Sequence, residues 1–151
     1  MLLGNNKIIM NNLQWLTKPF FVDIGFLVIR ILVGGLMVYH GFPMFLDITK
    51  IIAGLTKMGF PLPELFGYLA MSAEFFGGML LVLGLATRPA LIGIIVTMSV
   101  AFFIAHGADP FGKKELPFVY LCVSVALLLI GPGKYSLDNI LLSKISTKDY
   151  A

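Results

Sequence analysis

Residues 65–106 read LFGYLAMSAEFFGGMLLVLGLATRPALIGIIVTMSVAFFIAH, and this stretch decides the fold. It holds two apolar runs, 65–85 and 89–106, with Glu74 inside the first and Arg88 between them. A helix rising 1.5 Å per residue needs ~20 mainly apolar residues to cross ~30 Å of hydrocarbon, and both runs come close. Ala86-Thr87-Arg88 is a tight turn, so the two helices are expected to be antiparallel neighbours. Pro89 falls in a first helical turn, where its missing N–H costs nothing.

Two further apolar runs flank this pair. The first, 20–46, is interrupted by Asp23 and Arg30. The last, 115–130, is short, carries Pro117 in its expected first turn, and stops at Gly131-Pro132-Gly133. Between runs one and two, Ile48, Ile51, Ile52, Leu55 and Met58 recur at helical spacing, with Lys50, Thr56 and Lys57 largely off that face. This pattern predicts a helix over 47–58 lying in the membrane interface, with Asp47 capping its start and Gly59 its end. Ile9, Leu13 and Leu16, with Trp15, form a weaker amphipathic stretch. The expected fold is all-α: an integral membrane four-helix bundle with an extra interfacial amphipathic helix between spans 1 and 2. Residues 1–19 form an N-terminal interfacial segment, 20–140 the four-span membrane domain, and 141–151 a polar C-terminal tail. The apolar stretch at 8–10 is too short for the core of a cleaved signal peptide, so the run beginning at Phe20 is expected to be a retained span.

Composition supports this assignment. Of 151 residues, 58% are hydrophobic and 13% charged, against about 25% charged in ordinary soluble domains. The net charge is +3, but Lys and Arg are scattered beside apolar runs. No basic stripe tracks a phosphate backbone, which argues against nucleic acid and leaves the lipid bilayer as the partner. The single cysteine, Cys122, excludes a Cys-x-x-Cys thiol-oxidising centre within the chain and reads as a small packing residue. With four spans, Lys7, Lys18, Arg88, Lys134, Lys144 and Lys148 share one side, and Lys50, Lys57, Lys113 and Lys114 the other. The excess places both termini in the cytoplasm of a multi-pass cell-membrane protein.

Ionisable groups in mid-membrane are costly and therefore informative. Counted from the inner helix ends, Arg30 lies at ~15 Å and Glu74 at ~16 Å depth. This predicts a buried pair, which serves either as helix register glue or in binding and proton transfer. Gly67, Ala70, Gly77 and Gly78 on the Glu74 face, and Gly34 and Gly41 on the Arg30 face, let helix backbones approach closely. His40 and His106 close two helices that run the same way, so both reach the outer surface, near Asp109 and Glu115. No HxxxH or HxxE spacing assembles ligands on one helix, so no metal site is expected and interfacial histidines near water are the simpler reading. Tyr39 reads as an interfacial aromatic first and a quinone contact second. Arg88 and Asp138 gather at the inner surface, where they snorkel to water or form an ion pair. There is no P-loop, GxGxxG, nucleophile elbow or HExxH.

Over roughly residues 26–140 the chain resembles the DoxX family of small bacterial and archaeal membrane proteins. The resemblance rests on Arg30-Ile-Leu-Val-Gly-Gly followed by His40-Gly41, and on Glu74-Phe-Phe-Gly77-Gly78 with Gly84 and Thr87-Arg88. Glu115 with Tyr120, and Gly131-Pro-Gly-Lys-Tyr-Ser-Leu-Asp138, complete it. Many relatives continue the His-Gly step with a lysine-containing stretch, whereas Phe42-Pro43-Met44 follows here, so no role of that lysine carries over. The resemblance implies a four-helix bundle and a role in membrane-linked redox. Some relatives are subunits of thiosulfate:quinone oxidoreductase, and others are associated with quinone or oxidative-stress handling. The expected function is a membrane subunit of a quinone-linked oxidoreductase system. Quinone would be the bound cofactor, with none built into the chain, and electrons would come from a redox partner subunit. A homo-oligomer is compatible with this. The alternative is a non-catalytic membrane anchor or small-molecule carrier. Arg30, Glu74, His40, His106 and Tyr39 are the candidate binding residues.

Overall fold

The structure is a computed structural model that describes residues 21–148. The amphipathic stretch assigned to residues 1–19 lies outside them. The elements among the described residues are all helical. They are α1 (Val22–Leu46), α2 (Thr49–Lys57), α3 (Pro63–Leu83), α4 (Thr87–Ala105), α5 (Phe111–Ile130) and α6 (Leu137–Lys148). Three of them, α1, α3 and α4, are long and apolar enough to cross a membrane, with mean hydropathies of 2.0, 1.6 and 2.0.

Helix α5 starts four residues earlier than expected, at Phe111, and carries Lys113, Lys114 and Glu115 near its start. Pro117 is therefore not in a first turn but inside the helix, where it cannot donate to the Lys113 carbonyl. Helix α2 follows its sequence pattern. The Asp47 carboxylate accepts from the Thr49 amide at 3.1 Å, and Gly59 ends the helix at φ 73°. Helix α6 extends through Lys148, into the stretch read as a polar tail.

Helices α1, α3, α4 and α5 pack in a ring, each touching the next, while α2 lies against α3. Bare backbone makes the α1–α3 contact possible. A Cβ on Gly34 would sit 2.8 Å from the Gly78 carbonyl oxygen, and one on Gly41 would sit 2.5 Å from the Phe75 nitrogen. Without a hydrophobic drive between helices in lipid, this close van der Waals approach is what holds such a pair. Met37, Leu81, Leu91 and Ile94 fill the centre with no exposed surface. The outside is the reverse of a soluble protein's, with Leu129 78% and Phe103 68% exposed, a surface suited to acyl chains.

Both long central helices contain one wide turn. Ser72–Phe76 in α3 and Ala101–Ala105 in α4 are π-helical. Such single-turn π segments often accompany functional sites, because the extra residue displaces the backbone and re-aims side chains.

The bundle cavity and the inner latch

Between the helices lies a cavity of about 240 Å³. Helix α1 contributes Met37 and His40, and the wide turn of α3 contributes Glu74. Met98, Ala101 and His106 come from α4 and the residue after it, and Lys113, Leu116, Pro117 and Tyr120 come from α5. Glu74 is 8% exposed and has no hydrogen-bond or ion-pair partner among the described residues. Its neighbours Met37, Met98 and Tyr120 are buried, so the carboxyl sits at the inner, drier part of the cavity. The His40 ring meets Tyr120 edge-on at 5.8 Å between centroids and Tyr39 at 5.7 Å. Tyr39 itself is 74% exposed and does not line the cavity.

The rim is polar. His106 Nδ1 lies 2.9 Å from Asp109 Oδ2, and Lys113 Nζ lies 3.9 Å from Asp109 Oδ1. The hydrogen bond from His106, helped by the Lys113 and Lys114 charges, holds the Asp109 carboxyl below its ordinary range. An ionised Asp109 accepts from Nδ1–H, which fixes the orientation of the ring.

Arg30 is elsewhere, which overturns the expected pair with Glu74. Its guanidinium is 3% exposed and donates to the carbonyls of Pro132 and Tyr135, beside Gly84. Depth explains the difference. Gly84, at the end of α3, is level with Arg30, whereas Gly41 is level with Phe75. Eleven residues of α1 thus separate the levels of Arg30 and Glu74, or ~16 Å. The sequence estimate took the helix ends as flush, but α1 overhangs α3 by about two turns.

The expected Arg88–Asp138 ion pair is also absent. Asp138 instead caps α4, accepting from the Ala86 amide at 2.8 Å and the Thr87 amide at 2.9 Å. Two free amides at a helix start compete well for a carboxylate, because each otherwise lacks a partner. The Asp138 amide in turn donates to the Gly84 carbonyl at 2.9 Å. Ser136, 1% exposed, donates to Gly133 at 2.7 Å, and Gly131 and Gly133 take positive φ values of 92° and 76°. Arg30, Gly84 and the 131–138 segment thus latch this end of the bundle together.

The structure therefore gathers Glu74, His40 and His106 around one cavity and places Arg30, Arg88 and Asp138 at the other end. Lys113, Met37 and Met98 were missed as lining residues. Tyr120 entered the sequence reading only through the family resemblance. A heptad-like projection of α5 from its Phe111 start would have put Lys113, Pro117 and Tyr120 on one face.

The DoxX family profile matches residues 25–107, more than half of the chain. A Bacillus subtilis protein named "Putative oxidoreductase CatD" is 30% identical over 117 residues, 77% of this chain and 86% of that protein. An uncharacterized protein of Haemophilus influenzae is 32% identical over 143 residues, 89% of this chain and 100% of that protein. The Escherichia coli "Inner membrane protein YphA" is 30% identical over 139 residues, 86% of this chain and 99% of that protein. No solved structure matches. With the family profile, the apolar helices and full-length relatives in agreement, this membrane protein belongs to the DoxX family.

Proposed function

We propose that the chain is the membrane subunit of a quinone-linked oxidoreductase system. The observation that carries this reading is the cavity itself, which combines apolar walls with a few convergent polar groups deep in an apolar bundle. Met37, Met98, Leu116 and Pro117 offer an apolar slot for a ring. The Tyr120 hydroxyl and the His40 imidazole are donors for a carbonyl, and Glu74 is a carboxyl able to hold or yield a proton. A bound quinone would supply the two-electron chemistry, and a partner subunit the electrons. A relative named as an oxidoreductase supports the reaction class.

In this reading α5 is the fourth span. Its 20 residues reach ~30 Å, and Lys113, Lys114 and Glu115 lie at the headgroup level. Helix α2 lies in the interface, with Lys50 and Lys57 toward water.

The test is a ligand inventory. Protein purified in mild detergent from quinone-containing membranes is extracted and its quinone quantified, then titrated with a short-chain quinone. We expect copurified quinone in the wild type and roughly tenfold weaker binding in Tyr120→Phe, the loss of about one buried hydrogen bond. A ligand-free wild type that binds no quinone overturns the proposal and leaves an anchor or carrier of other small molecules.

A further inference from the structure

The cavity meets the surface at His106 and Lys113, whose side chains are 44% and 70% exposed. Glu74 faces His40 from α1, Tyr120 and Lys113 from α5, and His106 beyond α4, all lining the same space. Toward the opposite end the four helices close. Met37 on α1, Leu81 on α3, Leu91 and Ile94 on α4, and Ser124 on α5 are fully buried, with Leu127 at 3%. They lie between the level of Glu74 and that of Arg30, a span of ~16 Å. The Ser124 hydroxyl is buried there without a partner. A lone hydroxyl does not carry a chain of hydrogen bonds across so thick a layer. On the other side, polar rim groups lead outward from the carboxyl, and the cavity holds space for several waters, each needing ~30 Å³.

We infer that Glu74 is a proton-exchange site reached only through this cavity, from the end of the bundle where His106, Asp109 and Lys113 form the rim. The Arg30 end is sealed by the apolar layer and by the latch of the 131–138 segment on Arg30. The inference concerns the proton alone and holds whether or not a quinone occupies the cavity. In an apolar wall an unpaired carboxyl can change its charge only if protons reach it. The rim supplies them: the His106 imidazole, hydrogen-bonded to Asp109 and 44% exposed, stands at the water boundary and has two ring nitrogens through which a proton can pass.

The test is sided access. In a Cys122→Ser background, Glu74→Cys and Met98→Cys are placed in membrane vesicles of each orientation and exposed to an impermeant cationic methanethiosulfonate. Lys57→Cys and Lys134→Cys, at exposed positions near opposite ends, report which side faces the reagent. Both cavity cysteines are expected to label from the Lys57 side and stay unlabelled from the Lys134 side, read as the mass shift of the adduct. In the wild type, a water-soluble carbodiimide with an amine nucleophile should modify Glu74 from the Lys57 side only. Labelling from the Lys134 side overturns the inference. So does absence of labelling from both sides in samples that label fully once unfolded. Met98→Cys reads the same cavity if Glu74→Cys does not fold.

Discussion

Arg30 and Glu74 are the two buried ionisable side chains among the described residues, and they work apart. Replacing Arg30 with Met strands the Pro132 and Tyr135 carbonyls, at a cost of ~1–3 kcal/mol for each buried group left unsatisfied. Glu74→Gln keeps the shape and removes the ionisable carboxyl. With ~16 Å between their levels, the double variant should be additive within ~0.5 kcal/mol in detergent unfolding. A coupling beyond ~1 kcal/mol would show that the two sites communicate. Asp138 gives a second prediction. Burial pushes its carboxyl up, but hydrogen bonds from Thr87 and Ala86, with the Arg30 charge, outweigh this and hold it below its ordinary value. Its contribution to stability is therefore complete above the ordinary carboxylate range and is lost as pH falls through the lower folded value. Asp138→Ala should cost ~1 kcal/mol at neutral pH, the usual worth of a helix cap. The variant and wild-type unfolding curves should converge in strong acid; a gap that persists there would assign the loss to packing instead.

Among the elements, α1 and α3 show how finely one face is cut. A methyl on Gly34 meets the Gly78 carbonyl and Val82, while one on Gly35 meets nothing within 4 Å. Gly34→Ala should destabilise by ~1–3 kcal/mol, as overpacking does. Gly35→Ala should stabilise by roughly 0.5–1 kcal/mol through helix propensity. Thermal unfolding of the two variants checks both signs, and equal effects would mean the helices do not meet as described. The apolar runs of α1, α3 and α4 were legible because lipid demands unbroken hydropathy. Helix α2 was legible because Ile51, Ile52 and Leu55 repeat on one face. The level of Arg30 was not, since hydropathy marks where a run ends but not how far one helix overhangs its neighbour. Nor was α6: Leu137–Lys148 has no sustained apolar face, and beside the local bond from the Asn139 amide to the Ser136 hydroxyl its start is held by the Asp138 amide on the Gly84 carbonyl, a contact distant in sequence. Of the site, His40 and His106 were placed at the same end of the bundle by helix direction alone. Tyr120 and Lys113 needed the true start of α5.

For the whole molecule, the proposal that α5 is the fourth span puts Lys57 and Lys134 across the membrane from each other. A reporter fused after the last residue is expected to read cytoplasmic, and one inserted after Gly59 periplasmic. A C-terminal fusion that reads periplasmic would invert the molecule and put the His106 rim inside the cell. The wide turns in α3 and α4 carry a different consequence. Each holds one residue more than an α-helical turn needs, and both flank the cavity. The course of each helix past the cavity is thus set by how many residues occupy Ser72–Phe76 and Ala101–Ala105 as well as by which ones. A full substitution scan leaves that count untouched. Deleting a single residue from either turn would restore regular winding with the downstream helix nearly in phase, because the wide turn already absorbs the extra residue, and would remove the displaced backbone that aims side chains into the cavity.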